Sequence, residues 1–240
     1  MKNILFYILL FFLISCVTTI NIKENEYKEN EYYEVYLPDG QKIKVTKATY
    51  YNKGILKSVV IYKEEKIMIN FPDKNRGEVK YIEYYDNGNV KYALIKDNSN
   101  FIMTIHTKKN VSNVKELMYY PNGILKKVVF SDDGISLILP DGQNSTIYAI
   151  SYYENTKIES IFPLPNQKTI MPNGERLLST EVRFDERGNI VCVWLYKGEA
   201  VTMPNGEKIK VNVVFYNDNG TIKEIGSPIT EMKSPNLNVN

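Results

Sequence analysis

The residues able to do chemistry are few. His106 is the only histidine of the 240-residue chain, and Cys16 and Cys192 are its only cysteines. That inventory argues against a zinc centre, which takes several Cys and His ligands, and against a histidine-based triad. Cys192 lies in the run Ile190, Val191, Cys192, Val193, Trp194. It reads as a half-buried strand thiol, because a reactive one needs a base or cation beside it. Carboxylates remain. Glu154, Glu159, Glu181 and Glu186 are near enough in sequence to meet across strands, as a glycoside hydrolase would require, but nothing singles out a pair. Asn217, Asp218, Asn219 and Gly220 lack the alternating carboxylates and distal Glu of a calcium loop, so they read as a turn. Neither a phosphate-cradling glycine loop nor a Gly-x-Ser-x-Gly elbow is present. The expectation is a non-enzymatic chain without metal or cofactor.

The elements that would position any site begin at residue 1. Met1, Lys2 and Asn3 precede an apolar stretch from Ile4 to Ile14. Such a stretch suits the core of a signal peptide and falls short of the roughly 20 residues of a membrane span. Its end, Leu13, Ile14, Ser15, Cys16, resembles the lipobox of bacterial lipoproteins. That resemblance implies removal of residues 1–15, diacylation of the Cys16 sulfur (palmitate-type chains) and a mature N-terminus at Cys16. With two or more acyl chains the anchoring is stable, each buried CH₂ adding about 0.8 kcal/mol. Residues 16–36, rich in Lys, Glu and Asn, are expected to form the lipidated N-terminus and a solvated tether. Residues 227–240, with Pro228 and Pro235, are expected to form a loose tail.

Between these flanks, residues 37–226 repeat. Tyr50-Tyr51-Asn52-Lys53-Gly54-Ile55-Leu56-Lys57 returns at Tyr84 to Lys91 and at Tyr119 to Lys126, with worn copies from Tyr152, Phe184 and Tyr216. The glycine position falls at 54, 88, 123, 156, 188 and 220, with Thr156 in the fourth copy. Fourteen residues earlier stands a second turn: Leu37-Pro38-Asp39-Gly40, Leu139-Pro140-Asp141-Gly142, Met171-Pro172-Asn173-Gly174 and Met203-Pro204-Asn205-Gly206. Phe71-Pro72-Asp73-Lys74 has lost its glycine, and the slot around Lys108 and Lys109 has decayed. Pro presets φ, Asp and Asn tolerate the left-handed region and Gly enters it freely, so both elements predict turns. Between them apolar and polar residues alternate, as in Ile209 to Val213, which is the period of a half-buried strand. After the second turn the apolar parity changes, as in Leu56, Val59 and Ile61, which predicts a bulge there.

The expected fold is all-β: tandem antiparallel hairpins in a meander of six units of about 33 residues, open or curled, with a six-bladed propeller as the alternative. The Tyr-Tyr-x-Asn-Gly-x-Leu-Lys units resemble the bacterial variant of the MORN repeat. The resemblance implies stacked hairpins serving membrane or protein contact, and it supplies no catalytic residues.

Two rows follow from the repeat. Lys57, Lys91, Lys126 and Lys223 share one place after the turn, a basic line suited to anionic headgroups or acidic polymers. Of each tyrosine pair, one ring must point to the opposite face from the other, so Tyr51, Tyr85, Tyr120 and Tyr153 are candidates for a partner-binding surface, with cross-strand packing as the competing role. The formal net charge of +2 gives no reason to expect nucleic acid. The leading expectation is a lipid-anchored cell-envelope binding or scaffold module for an envelope protein or polymer, at the outer membrane where a cell has two. A carboxylate-dependent envelope hydrolase and an antitoxin or immunity-type protein are the alternatives.

Overall fold

A computed structural model describes residues 31–97, 101, 103–105, 108–111, 113–197 and 199–226; for 108–110 it describes the backbone alone. The expected signal peptide, Cys16, His106 and the C-terminal tail lie outside the described residues. The first unit is β1 (Tyr33–Tyr36), β2 (Lys42–Tyr50) and β3 (Leu56–Ile61), and the second is β4 (Met68–Asn70), β5 (Arg76–Tyr84) and β6 (Val90–Ile95). The third comprises β7 (Met103–Ile105), β8 (Lys108–Val111), β9 (Val114–Tyr119) and β10 (Leu125–Phe130). The fourth is β11 (Ile135–Ile138), β12 (Asn144–Tyr152) and β13 (Ile158–Pro163), and the fifth is β14 (Lys168–Ile170), β15 (Arg176–Phe184) and β16 (Ile190–Leu195). The sixth contains β17 (Ala200–Thr202), β18 (Lys208–Lys210), β19 (Val213–Tyr216) and β20 (Ile222–Ile225).

The chain is an open antiparallel meander. One sheet runs β1-β2-β3-β5-β6-β9-β10-β12-β13-β15-β16-β19-β20, and β4, β11 and β14 attach to β5, β12 and β15. The pairs β7-β8 and β17-β18 are separate hairpins. Consecutive units are hydrogen-bonded edge to edge, for instance Ser58 opposite Glu83 and Ile161 opposite Val182, which rules out the propeller, whose blades are separate sheets. The sheet begins at Tyr33, inside the stretch expected to be tether, because Val35 alternates inward and pairs with Ile43.

The first five units carry two bulges each and the sixth carries one. Thr49 faces Ser58 while Tyr50 faces Leu56, so Lys57 is an extra residue just past the turn, as the parity predicts. Lys91, Lys126, Glu159, Val191 and Lys223 fall at the same step. The second bulge lies midway along the long strand, at Thr46, Lys80, Tyr148 and Thr180. It lets one strand serve two layers. Its first half pairs with a short hairpin strand, and its second half enters the main sheet.

The core lies between the short hairpins and one face of the main sheet. Along that face Val59, Ile82, Ala93, Leu117, Val128, Ile150, Ile161, Val182, Val193 and Val214, one per strand, are all 0 % exposed. Each such side chain contributes about 1.5–3 kcal/mol on burial, less for alanine. Units also lock through their turns. A Cβ on Gly88, Gly123, Gly188 or Gly220 would stand 3.5, 3.0, 2.8 or 3.2 Å from the Cβ of Pro38, Pro72, Pro140 or Pro172 of the preceding unit. The proline turn of one unit therefore rests on the glycine turn of the next, where no side chain intervenes.

Candidate functional site

Opposite the sealed face, the main sheet presents an outer face to solvent. Two rows of side chains cross it. One row passes through Val60, Tyr81, Leu94, Glu116 and Val129, and continues to Phe162, Glu181 and Trp194. The other passes through Glu83, Tyr92, Met118 and Lys127, and continues to Arg183, Cys192 and Phe215. Apart from exposed Val60 and Arg183 and buried Cys192, these residues are half-buried. Rings and cations pack laterally along the face: Tyr81 with Tyr92 at 5.9 Å, Tyr148 with Phe162 at 5.8 Å, Lys127 over Phe162 at 4.2 Å and Arg183 over Trp194 at 4.6 Å.

The tandem tyrosines divide their work between units. Tyr84, Tyr119 and Tyr152 are buried, whereas Tyr50 is 52 % exposed. The second tyrosines are half-buried, and each reaches the following unit. The Tyr51 hydroxyl donates to the carbonyl of Tyr84 at 2.8 Å, Tyr85 to Tyr119 at 2.9 Å, Tyr120 to Tyr152 at 2.8 Å and Tyr153 to Phe184 at 2.8 Å. Each hydroxyl thus meets the main-chain carbonyl four residues before the glycine position of the next unit's turn. These four are staples between units, and their rings remain at the border of the outer face.

The lysine row coincides with the bulge. Lys57, Lys91, Lys126 and Lys223 are exposed, and the row is broken by Glu159 and Val191. Lys57 and Lys126 lie over the rings of Tyr51 and Tyr120, at 5.6 and 5.1 Å, and Lys91 is 3.5 Å from Glu83. The second and third units bring part of both rows together in a groove of about 340 Å³, lined by Glu83, Tyr85, Lys91, Tyr92, Met118, Tyr119 and Lys126. Burial, with Glu116 and Glu83 nearby, pushes the Tyr92 phenol up to about 12, so it stays a neutral hydrogen-bonding group. The groove can hold a chain that offers anionic groups at the lysines and apolar or ring surface to Tyr92 and Met118.

The other sequence candidates lie elsewhere. Glu154 is exposed and accepts from Asn122 Nδ2 at 3.1 Å, Glu186 is exposed, and Glu181 is held by Arg183 at 2.7 Å. Glu159 occupies a bulge position. Cys192 is buried, which pushes its thiol up to about 11 and leaves it protonated at neutral pH. Among the described residues no group of three or more His, Cys, Asp or Glu is placed to hold a metal ion. Reading the sequence for motifs missed Tyr92, Met118, Phe162 and Trp194. Their signal was present as aromatic or apolar residues at positions whose parity is polar in a one-sided sheet, as in Tyr81-Ile82-Glu83. Set against known protein families and curated proteins, the chain matches none.

Proposed function

We propose that the chain is a lipid-anchored cell-envelope protein whose sheet is a non-catalytic binding module, taking an envelope protein or polymer on its outer face. The observation that carries this reading is the contrast between the two faces. One face is fully sealed into a core, while the other keeps half-buried tyrosine, tryptophan, phenylalanine and methionine in rows interrupted by Glu83, Glu116, Ser151, Ser160, Glu181 and Arg183 and bordered by lysines. A merely solvated face of a one-sided antiparallel sheet would hold polar residues at nearly all of those positions, without the rings of Tyr81, Tyr92, Phe162 and Trp194. Such rows, rimmed by charge, are the composition of contact surfaces. The resemblance to MORN-type turn repeats and the lipobox-like Leu13 to Cys16 support the same reading, Cys16 supplying the membrane attachment and the outer membrane being the favoured address in a two-membrane cell.

The test has two arms. Paired substitutions Tyr92→Ser with Met118→Ser should weaken capture from native envelopes at least tenfold, with circular dichroism and melting unchanged. Undiminished capture would remove the face from the proposal. Cys16→Ser should move the chain from the membrane fraction to the soluble one, and a mature N-terminus other than acylated Cys16 would overturn the anchoring.

A further inference from the structure

The joints inside the array define what a unit expects on each side, and the two ends of the array are the two halves of one more joint. At internal joints the inward residue of the return strand pairs with that of the next long strand, Val59 with Ile82 and Val193 with Val214, all 0 % exposed. At the ends the equivalent residues, Ala48 and Ile225, are only partly buried. The tyrosine that a preceding unit covers is 4, 1 and 5 % exposed at Tyr84, Tyr119 and Tyr152 but 52 % at Tyr50. Among the described residues, the first unit keeps glycine at position 54 with nothing within 4 Å of the Cβ it lacks, and no glycine rests against the Pro204 turn. Terminal units of repeat arrays are normally closed by polar caps, and exposed sheet edges by charge or proline. At the described ends charge is confined to the outer positions, Lys47, Lys223 and Glu224, while the inward positions Ala48 and Ile225 stay apolar.

We propose that two copies of this chain join head to tail, β20 of one pairing with β2 of the next in the register of the internal joints. That register sets Glu224 opposite Thr49, Ile225 opposite Ala48 and Gly226 opposite Lys47, by correspondence with Cys192 opposite Phe215, Val193 opposite Val214 and Trp194 opposite Val213. It buries Ile225 against Ala48 and puts the carboxylate of Glu224 diagonal to the ammonium of Lys47 on the outer face. The Pro204 turn then covers Tyr50 and meets Gly54, as the Pro38 turn covers Tyr84 and meets Gly88. Asn219 comes to the acceptor position at Asn52. At internal joints the equivalent contacts are Asn87 to the Pro121 carbonyl at 3.0 Å, Asn122 to Glu154 at 3.1 Å and Arg187 to Asp218 at 2.7 Å. Because donor and acceptor ends differ, the contact is heterologous, and repetition extends the sheet into a filament.

Directed cross-linking tests this in the full chain carrying Cys16→Ser. Residues opposite one another in an antiparallel pair are about 4.5–5.5 Å apart at Cα, within disulfide reach. Glu224→Cys mixed with Thr49→Cys should give a disulfide-linked dimer, each single variant alone should give no disulfide-linked product under oxidation, and the double variant should give a ladder of linked multimers. Sedimentation of the chain without these added cysteines should show mass rising with concentration, and Glu224→Lys should weaken that association several-fold, with recovery on mixing with Lys47→Glu. Dimers from either single variant alone would show symmetric edge pairing and overturn the proposal. A concentration-independent monomer without cross-links, as expected if residues 1–30 or 227–240 of the same chain cover an edge, would overturn it too.

Discussion

Replacing the turn glycines by alanine separates two costs that the sequence confounds. At Gly142 φ is +84° and no atom lies within 4 Å of a new Cβ, so Gly142→Ala adds only backbone strain. An L-residue in the left-handed region costs about 1–2 kcal/mol, and the stiffer unfolded chain returns about 0.4–1, leaving roughly 1 kcal/mol. At Gly188 φ is +92° and the new Cβ would stand 2.8 Å from the Cβ of Pro140, inside the about 3.5–4.0 Å at which carbon atoms settle. Overpacking adds about 1–3 kcal/mol, so Gly188→Ala should cost about 2–4 kcal/mol. Gly123→Ala and Gly220→Ala, at 3.0 and 3.2 Å from their prolines, should fall between, and Gly88→Ala, at 3.5 Å, should match Gly142→Ala. Urea unfolding gives the ranking, and amide hydrogen exchange localises it, because a repeat array opens by neighbouring units. Combining Gly188→Ala with Pro140→Gly should recover the overpacking part in a double-mutant cycle. Equal costs at Gly142 and Gly188, or a cycle without coupling, would refute the turn-on-turn contact.

Two further outcomes follow from the same joints. Tyr120→Phe removes a hydrogen bond between units and keeps the ring, so it should lower stability by about 1 kcal/mol, read by urea unfolding; no loss would show that the carbonyl of Tyr152 needs no staple. Burial alone would raise the pKa of Asp185, but the backbone N–H of Asn189 and the Arg187 side chain outweigh it and hold the carboxyl at about 2. A group lowered from about 3.9 contributes stability above that value and loses it as pH falls through its folded value. Between about pH 4 and 2 the chain should therefore lose about 1 kcal/mol after solvent screening, a loss absent from Asp185→Asn, and identical acid limbs would refute it.

The turns were legible because their causes are local. Pro38, Asp39 and Gly40 each act through their own φ, so a single copy already specifies the bend, and the parity step at Leu56, Val59 and Ile61 exposed the bulge at Lys57. The mid-strand bulges were not legible. Thr46, Lys80, Tyr148 and Thr180 share no side-chain character, since what fixes them is the need of one strand to serve both a short hairpin and the main sheet. The staple role of Tyr51, Tyr85, Tyr120 and Tyr153 was hidden for a related reason. The acceptor is a carbonyl 31 to 34 residues away that only the stacked array brings within reach.

Thr156 shows how the two levels combine. Positive φ alone does not demand glycine in this fold, since Lys74 and Thr156 hold φ of 68° without it. What separates Gly88, Gly123, Gly188 and Gly220 from Thr156 is the proline of the preceding unit, and the residue aligned with that proline before Thr156 is Thr107. A Pro-containing turn and the next unit's glycine are therefore one contact written in two places about 50 residues apart. At Thr107 and Thr156 both halves of that contact are lost together.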